Sequence, residues 1–435
     1  MRSLAAAMLI LAAASVAWGV ERFPPPDFSG GHRVPTTDTP APRAVVWEYV
    51  DLAVLAAALS AATYMALVRR SRRGVMVVML ASLAYLGFYR GGCVCPIGAI
   101  QNVALGLWNP QFVVPLAVLG FFLLPLVFTL LFGRTFCAGV CPLGALQDAV
   151  LIRPLKVPTW LDHSLGLLPW VLLGAAVLVA ATGGSFIICR QDPYVTIFRL
   201  SGTPDMIVYS LAMLGVAMFI GRPYCRFGCP YGALLRPLSR LAWRHANITP
   251  RECINCRLCE DACPFGAIRR PSAQTQPRRS GRATLAAAMV LLPVLVAGGA
   301  ALSGKLLAGP LSSTHYTVQL SRQVYLEDSG KLPGRADNSA AFRATGGKPA
   351  DLHHAAAEIQ ARVAWGAWIF GGFVGLVVGS KLVSLCIRRR RDEYSVDRST
   401  CVSCGRCFAS CPVELARRGK VGPAVASGAD NEGKP

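Results

Sequence analysis

The sequence predicts an all-α membrane bundle of about seven transmembrane helices that carries a small α+β domain split in two along the chain. Three observations predict it. Apolar residues make up 53% of the 435-residue chain and charged residues only 15%, less charge than a soluble domain of this size carries. Seven apolar stretches, roughly 47–68, 74–90, 111–132, 165–182, 204–221, 283–303 and 363–387, each approach the length that crosses a hydrocarbon core of about 30 Å. Two cysteine runs with the spacing C-x-x-C-x-x-C-x-x-x-C-P, Cys253–Pro264 and Cys401–Pro412, stand on either side of the last two stretches.

Residues 1–19 hold one Arg, an apolar run from Leu4 to Val16 and small residues at Ala17 and Gly19, the pattern of a secretory signal peptide or signal anchor. Residues 20–46 form a proline-rich segment expected to be extended and external. The five-helix membrane domain 47–240 follows. Arg69, Arg70, Arg72 and Arg73 close its first stretch, and the positive-inside rule places that cluster in the cytoplasm. Alternation then puts Arg134, Arg153 and Lys156 inside, with Arg222 through Arg282 and Arg388 to Arg391. The net charge of +21 is thereby assigned to loop ends beside a bilayer of a bacterial inner membrane, and nucleic acid is set aside as a partner. Residues 283–387 make a helical hairpin with an external segment 304–362, and 416–435 read as a disordered tail.

The hairpin leaves and returns to one face, so 241–282 and 388–415 share the cytoplasm and read as halves of one two-cluster ferredoxin-like domain. In this spacing three thiolates turn onto one [4Fe–4S] cube, and the fourth, before proline, serves the neighbouring cube. Cys253, Cys256, Cys259 and Cys411 would then hold one cluster, and Cys401, Cys404, Cys407 and Cys263 the other. Zinc sites more often use separated C-x-x-C pairs. Arg251, Arg257, Arg398 and Arg406 flank the runs, where they would offset cluster charge, attract an acidic donor or simply be solvated.

An internal repeat supplies further cysteines. Gly133-Arg-Thr-Phe-Cys137-Ala-Gly-Val-Cys141-Pro-Leu-Gly-Ala-Leu146 matches Gly221-Arg-Pro-Tyr-Cys225-Arg-Phe-Gly-Cys229-Pro-Tyr-Gly-Ala-Leu234. Cysteines four apart share a helical face, and a pseudo-twofold arrangement would bring Cys137, Cys141, Cys225 and Cys229 together as a relay, metal or docking site at the inner face. A partial third copy, Cys93-Val-Cys95-Pro-Ile-Gly-Ala-Ile100, falls on the outer face with Cys189, where a metal site and a disulfide are competing readings. Cys386 is expected to pack. His163, His245, His315, His353 and His354 form no attachment motif for haem. Glu48 and Asp51, at the outer end of the first helix, could exchange protons in a quinol reaction; solvation is the preferred reading.

These residues resemble the NosR/NapH family of membrane polyferredoxins over roughly 47–415: both C-x-x-x-C-P motifs and both ferredoxin runs are complete. The resemblance implies electron passage across or along the membrane, from a ferredoxin, flavoprotein or quinol toward a periplasmic or membrane reductase. It implicates the eight ferredoxin cysteines as ligands and Cys137, Cys141, Cys225 and Cys229 at the membrane face. The chain departs from NosR in lacking a large external flavin-binding domain and an S/T-G-A-T flavin-attachment motif. The alternative function is redox sensing or metal-centre assembly of the NosR type.

Overall fold

The computed structural model describes residues 44–92, 95–184, 186–248, 253–271, 280–332, 334, 336–387 and 393–418. The expected signal 1–19, the external segment up to residue 43, the tail from residue 419, Cys93 and Arg251 lie outside the described residues. The described residues from Val45 to Arg418 form one compact unit.

Four of the seven apolar stretches become helices long and apolar enough to cross a bilayer: Val45–Val68, Thr159–Ala181, Arg282–Leu306 and Pro349–Cys386. The other three form shorter or interrupted helices. Stretch 74–90 forms the helix Arg72–Ser82, continued by Leu83–Tyr89 in a wider winding. Stretches 111–132 and 204–221 give Leu116–Phe132 and Pro204–Ala217, of 17 and 14 residues. Pro204 opens the latter, as suits a residue without an N–H in the first turn. Gly133, at φ 73°, closes the former in a conformation that a Cβ would strain. Each of these two helices leads into a short cysteine-bearing helix, Thr135–Gly139 or Pro223–Phe227. The second cysteine of each pair then caps the next helix, Pro142–Ala149 or Pro230–Arg240, just ahead of its first-turn proline.

The hairpin is built on small residues. A Cβ on Gly299, Gly371 or Gly375 would run into the facing backbone, so only glycine lets the two helices approach this closely. Pro349–Cys386 has 38 residues, about 57 Å at 1.5 Å per residue, and its first turns belong to the segment 304–362. Tyr316–Asp328 packs on those turns through Leu320, Val324 and Leu352.

The two cysteine runs meet at a two-stranded antiparallel sheet. Strand β1 (Ile268–Arg269) pairs with β2 (Ser395–Val396), Ile268 facing Val396 and Arg269 facing Ser395. The Asp397 N–H donates to Ala267 O at 2.7 Å, which extends the pairing. Ala246, Ile248, Ile268, Tyr394 and Phe408 make the apolar core of this region.

Candidate iron–sulfur and thiol sites

The two runs fold alike despite different residues between their cysteines. The residues on either side of the middle cysteine are left-handed in both: Asn255 (φ 54°) and Arg257 (φ 63°) around Cys256, Ser403 (φ 55°) and Gly405 (φ 75°) around Cys404. Three of these four carry a Cβ, and such backbone persists only where its surroundings enforce it. The turns leave cysteines facing enclosed space. One cavity is lined by Cys253, Cys256, Cys259 and Cys411, together with Cys407. A second is lined by Cys263, Cys401, Cys404 and Cys407. Cys263 thus faces the other run, within electrostatic reach of Cys404, while Cys411 is within reach of Cys259. The Ser403 N–H donates to Cys401 Sγ at 3.4 Å. Among the described residues, no three His, Cys, Asp or Glu side chains converge on a single-ion site. Four thiols set around a cavity with an N–H turned toward sulfur fit a thiolate-held cube, whose ligands are spread over several irons. Cys253 and Cys256 are exposed, whereas Cys404 is buried.

The repeated pairs also meet. Cys141 and Cys225 are hydrogen-bonded through sulfur, and Cys137 and Cys229 lie within electrostatic reach of Cys141. The two copies interlock by exchange. Arg222 of the second copy lies over Gly144 of the first, where an added Cβ would be 3.1 Å from Nη1. Arg134 of the first lies over Gly232 of the second, with the corresponding distance 3.6 Å to Nη2. Arg222 donates to Cys137 O and to Ala138 O. Arg134 donates to Cys137 Sγ at 3.7 Å and to Ser399 O at 3.2 Å, next to the second cysteine run. Gln147, fully buried, donates from Nε2 to Cys225 Sγ at 3.3 Å and accepts from the Tyr224 N–H at 3.0 Å.

A charged knot joins these thiols to the second run. Asp148 Oδ2 is 3.0 Å from Arg72 and 3.1 Å from Arg222, and Oδ1 is 3.2 Å from Arg406. Arg72 also donates to Cys404 O at 3.0 Å. Burial opposes ionisation of Asp148, but Arg222, Arg406 and Arg72 outweigh it and hold the carboxyl well below the usual carboxylate range. Of the flanking arginines, Arg406 is therefore structural, Arg398 donates to Ala242 O at 3.3 Å, and Arg257 is exposed.

The division into inner and outer cysteines does not anticipate where Cys95 sits. It packs on the core cluster that contains Cys137, Cys141 and Cys229, and it feels Cys189 electrostatically. Cys95 is also within electrostatic reach of Cys229, so a cysteine expected on the outer face lies near one expected on the inner face. Cys386 is 3.7 Å from Thr284 O across the hairpin. His245 lies 2.9 Å from Ala246 O, His315 3.2 Å from Gly183 O and His353 2.8 Å from Ser321 Oγ. His354 is 3.5 Å from Glu358, and His163 lines a cavity described below. Asp51 corrects its expected solvation: its side chain is fully buried, 2.8 Å from Arg90 and 2.9 Å from the Tyr85 hydroxyl. Apolar neighbours on one helix give no hint of a cation arriving from another. Glu48 is half-buried.

Comparison with known proteins points to iron–sulfur chemistry. A family model described as a 4Fe-4S binding domain (Fer4_5) matches residues 114–158 and 203–249, one copy around each cysteine pair. A second model of the same description (Fer4) matches 246–269. YccM of Escherichia coli (strain K12), a protein named for electron transport, is 28% identical over 182 residues, 38% of this chain and 51% of that protein. Protein NirI of Paracoccus denitrificans is 29% identical over 215 residues, covering 45% and 31%. Regulatory protein NosR of Pseudomonas aeruginosa is 32% identical over 120 residues, covering 24% and 16%. The chain is thus similar to the NosR/NapH-type polyferredoxins. The protein is a 4Fe–4S membrane protein, and it spans about half the length of YccM and under a third of NirI. No solved structure gives a significant match.

Asp148, Gln147 and Arg72 are the site residues that motif reading misses. Gln147 and Asp148 stand immediately after the repeat, where the second copy has Leu235 and Arg236. A search for likeness ends just before them.

Proposed function

We propose that this polyferredoxin carries single electrons between a cytoplasmic ferredoxin or flavoprotein, or a membrane quinol, and a membrane or periplasmic acceptor. When bound, [4Fe–4S] clusters supply one-electron chemistry over a wide range of potentials. The observation that carries the reading is the serial order of the cysteines. The set Cys253, Cys256, Cys259 and Cys411 is the one open to solvent and hence to a soluble partner. The set Cys401, Cys404, Cys407 and Cys263 lies behind it, with Cys407 lining both cavities. Arg222 feels both Cys404 and Cys225, which supports Cys137, Cys141, Cys225 and Cys229 as the next stop inward. In this reading each group of four thiols holds its cofactor, the surrounding N–H groups and arginines offset its negative charge, and the apolar walls keep water out.

Anaerobically purified protein should contain about eight irons from the two ferredoxin sets, with matching sulfide and EPR signals on reduction. Cys141→Ser and Cys229→Ser should slow electron transfer to an added acceptor while those eight irons remain. Iron at four or fewer, or zinc in its place, overturns the two-cluster reading. Normal transfer with all four repeat cysteines changed to Ser would demote that set to packing.

The proposed orientation places the ferredoxin domain and the C-terminus in the cytoplasm of a bacterial inner membrane. Reporter fusions after Arg73, Arg270 and Pro435 should then behave as cytoplasmic, and fusions near Gln191 and Asp337 as external. A cytoplasmic signal at Asp337 would break the hairpin model.

A further inference from the structure

A cavity of about 410 Å³ opens where the helices Thr159–Ala181, Pro230–Arg240 and Pro349–Cys386 meet the paired strands. Its polar wall is crowded with cations: Arg226, Arg236, Arg240, Arg269 and Lys381 all line it. Arg226 is paired with Asp162 at 2.8 Å and Arg269 with Asp397 at 3.1 Å. Among the described residues no carboxylate forms an ion pair with Arg236, Arg240 or Lys381. Apolar lining comes from Trp170, Phe373 and Leu376 on two of the helices long and apolar enough to cross a bilayer.

The repeat shows what is missing. In the first copy, the residue two places after the motif is Asp148, whose carboxylate balances Arg222 from the other copy along with Arg72 and Arg406. In the second copy that place is taken by Arg236, and the cation it faces is Arg134. The cross-packing of Arg134 and Arg222 is thus preserved, but one side has an internal anion and the other has one more cation. Among the described residues Arg236 is held by backbone carbonyls, Gly166 O at 3.0 Å and Arg226 O. Burial and then the repulsion of Arg134 push its guanidinium down to about 10 against the weaker pull of Asp162, which is itself paired with Arg226.

We propose that this cavity holds the phosphate headgroup of an anionic phospholipid, with Arg236, Arg240 and Lys381 around the phosphate and the acyl chains along Trp170, Phe373 and Leu376. Basic pockets between spanning helices on the cytoplasmic side suit such headgroups. An apolar wall continuous with membrane-facing helices distinguishes a lipid from a free anion. A neutral quinone would fill the apolar half and leave the charges unbalanced.

The test uses the full-length protein in detergent, washed free of lipid and examined by native mass spectrometry. Short-chain phosphatidylglycerol should bind at one equivalent and be preferred over phosphatidylcholine by at least about fivefold, the equivalent of one membrane-surface charge. Arg240→Gln should lower phosphatidylglycerol binding by a similar factor; Arg240 is exposed, so the fold is not at risk. Lys381→Gln is the second variant and should do the same, while Arg362→Gln, on an exposed stretch of the hairpin, should not. Equal binding of the two lipids would overturn the proposal. So would full displacement by inorganic phosphate, which would make it a free-anion site, or tight binding of a quinone that neither variant weakens.

Discussion

The two copies of the cysteine motif are nearly identical through their shared C-P-x-G-A-L and then part company. After Leu146 come Gln147 and Asp148; after Leu234 come Leu235 and Arg236. The first copy uses its two polar residues to reach outward. Gln147 binds the sulfur of Cys225 and the backbone of the other copy, and Asp148 gathers three arginines, one of them from the second cysteine run. The second copy buries Leu235 and turns Arg236 toward a cavity. The common part of the repeat builds the thiol site; the divergent part decides what each half is fastened to. Through its divergent residues the first half is fastened to the second cysteine run, whereas the second half turns Arg236 to the cavity and reaches the ferredoxin region by other residues, Arg226 to Pro264 O and Ser239 to Arg398 O.

The largest difference should appear when the two divergent charges are removed in turn. Asp148→Asn leaves Arg72, Arg222 and Arg406 around a neutral amide in a site where the carboxylate is fully buried. Breaking a buried ionic group by removing one partner costs about 3–5 kcal/mol. We expect a strongly lowered thermal midpoint in detergent and loss of iron, because Arg72 and Arg406 hold the loop around Cys404. Arg236→Asn removes a cation whose direct bonds among the described residues are to carbonyls, and should cost about 1 kcal/mol, the scale of a hydrogen bond. Equal costs for the two variants would mean that the copies are fastened alike, contrary to the comparison.

This asymmetry also marks how far the sequence could be read. The cysteine spacing announces the iron–sulfur region because a thiolate loop leaves a fixed signature, and the repeat announces itself by identity. Pairing of β1 with β2 follows from reading the hairpin as one excursion from a single face, since the runs then have to meet. Asp148 carries no such signature: its meaning comes from Arg72, Arg222 and Arg406, which lie 76, 74 and 258 residues away along the chain. Asp51 is opaque for the same reason, its partner Arg90 arriving from another helix. The difference between seven apolar stretches and four long apolar helices has another cause. Hydropathy over 111–132 and 204–221 registers an apolar stretch but not where its helix stops, and both helices stop to let short cysteine-bearing turns begin. The same shortness brings Cys95 to the core of the other thiols, which alternation of full spans placed a bilayer apart.

The smallest and sharpest test lies in the glycines over which the arginines cross. Both Gly144 and Gly232 are inside helices, where Ala is favoured over Gly by about 1 kcal/mol. What opposes that gain is space, and the two sites differ in it. A Cβ on Gly144 would sit 3.1 Å from Arg222 Nη1 and 3.3 Å from Cys137 O. Neither neighbour can yield easily: Cys137 O is backbone, and Arg222 is held by Asp148, Cys137 O and Ala138 O. A Cβ on Gly232 would meet Cys225 O at 3.4 Å and Arg134 Nη2 at 3.6 Å, which is ordinary contact. Gly144→Ala should therefore lower the thermal midpoint, with overpacking of about 1–3 kcal/mol exceeding the helix gain. Gly232→Ala should be neutral or slightly stabilising. Thermal unfolding of the two variants side by side, with iron content as a second readout, checks both signs. Destabilisation by Gly232→Ala as large as that by Gly144→Ala would mean that Arg134 is locked as firmly as Arg222, and the contrast between the copies would then have to be sought in their charges alone.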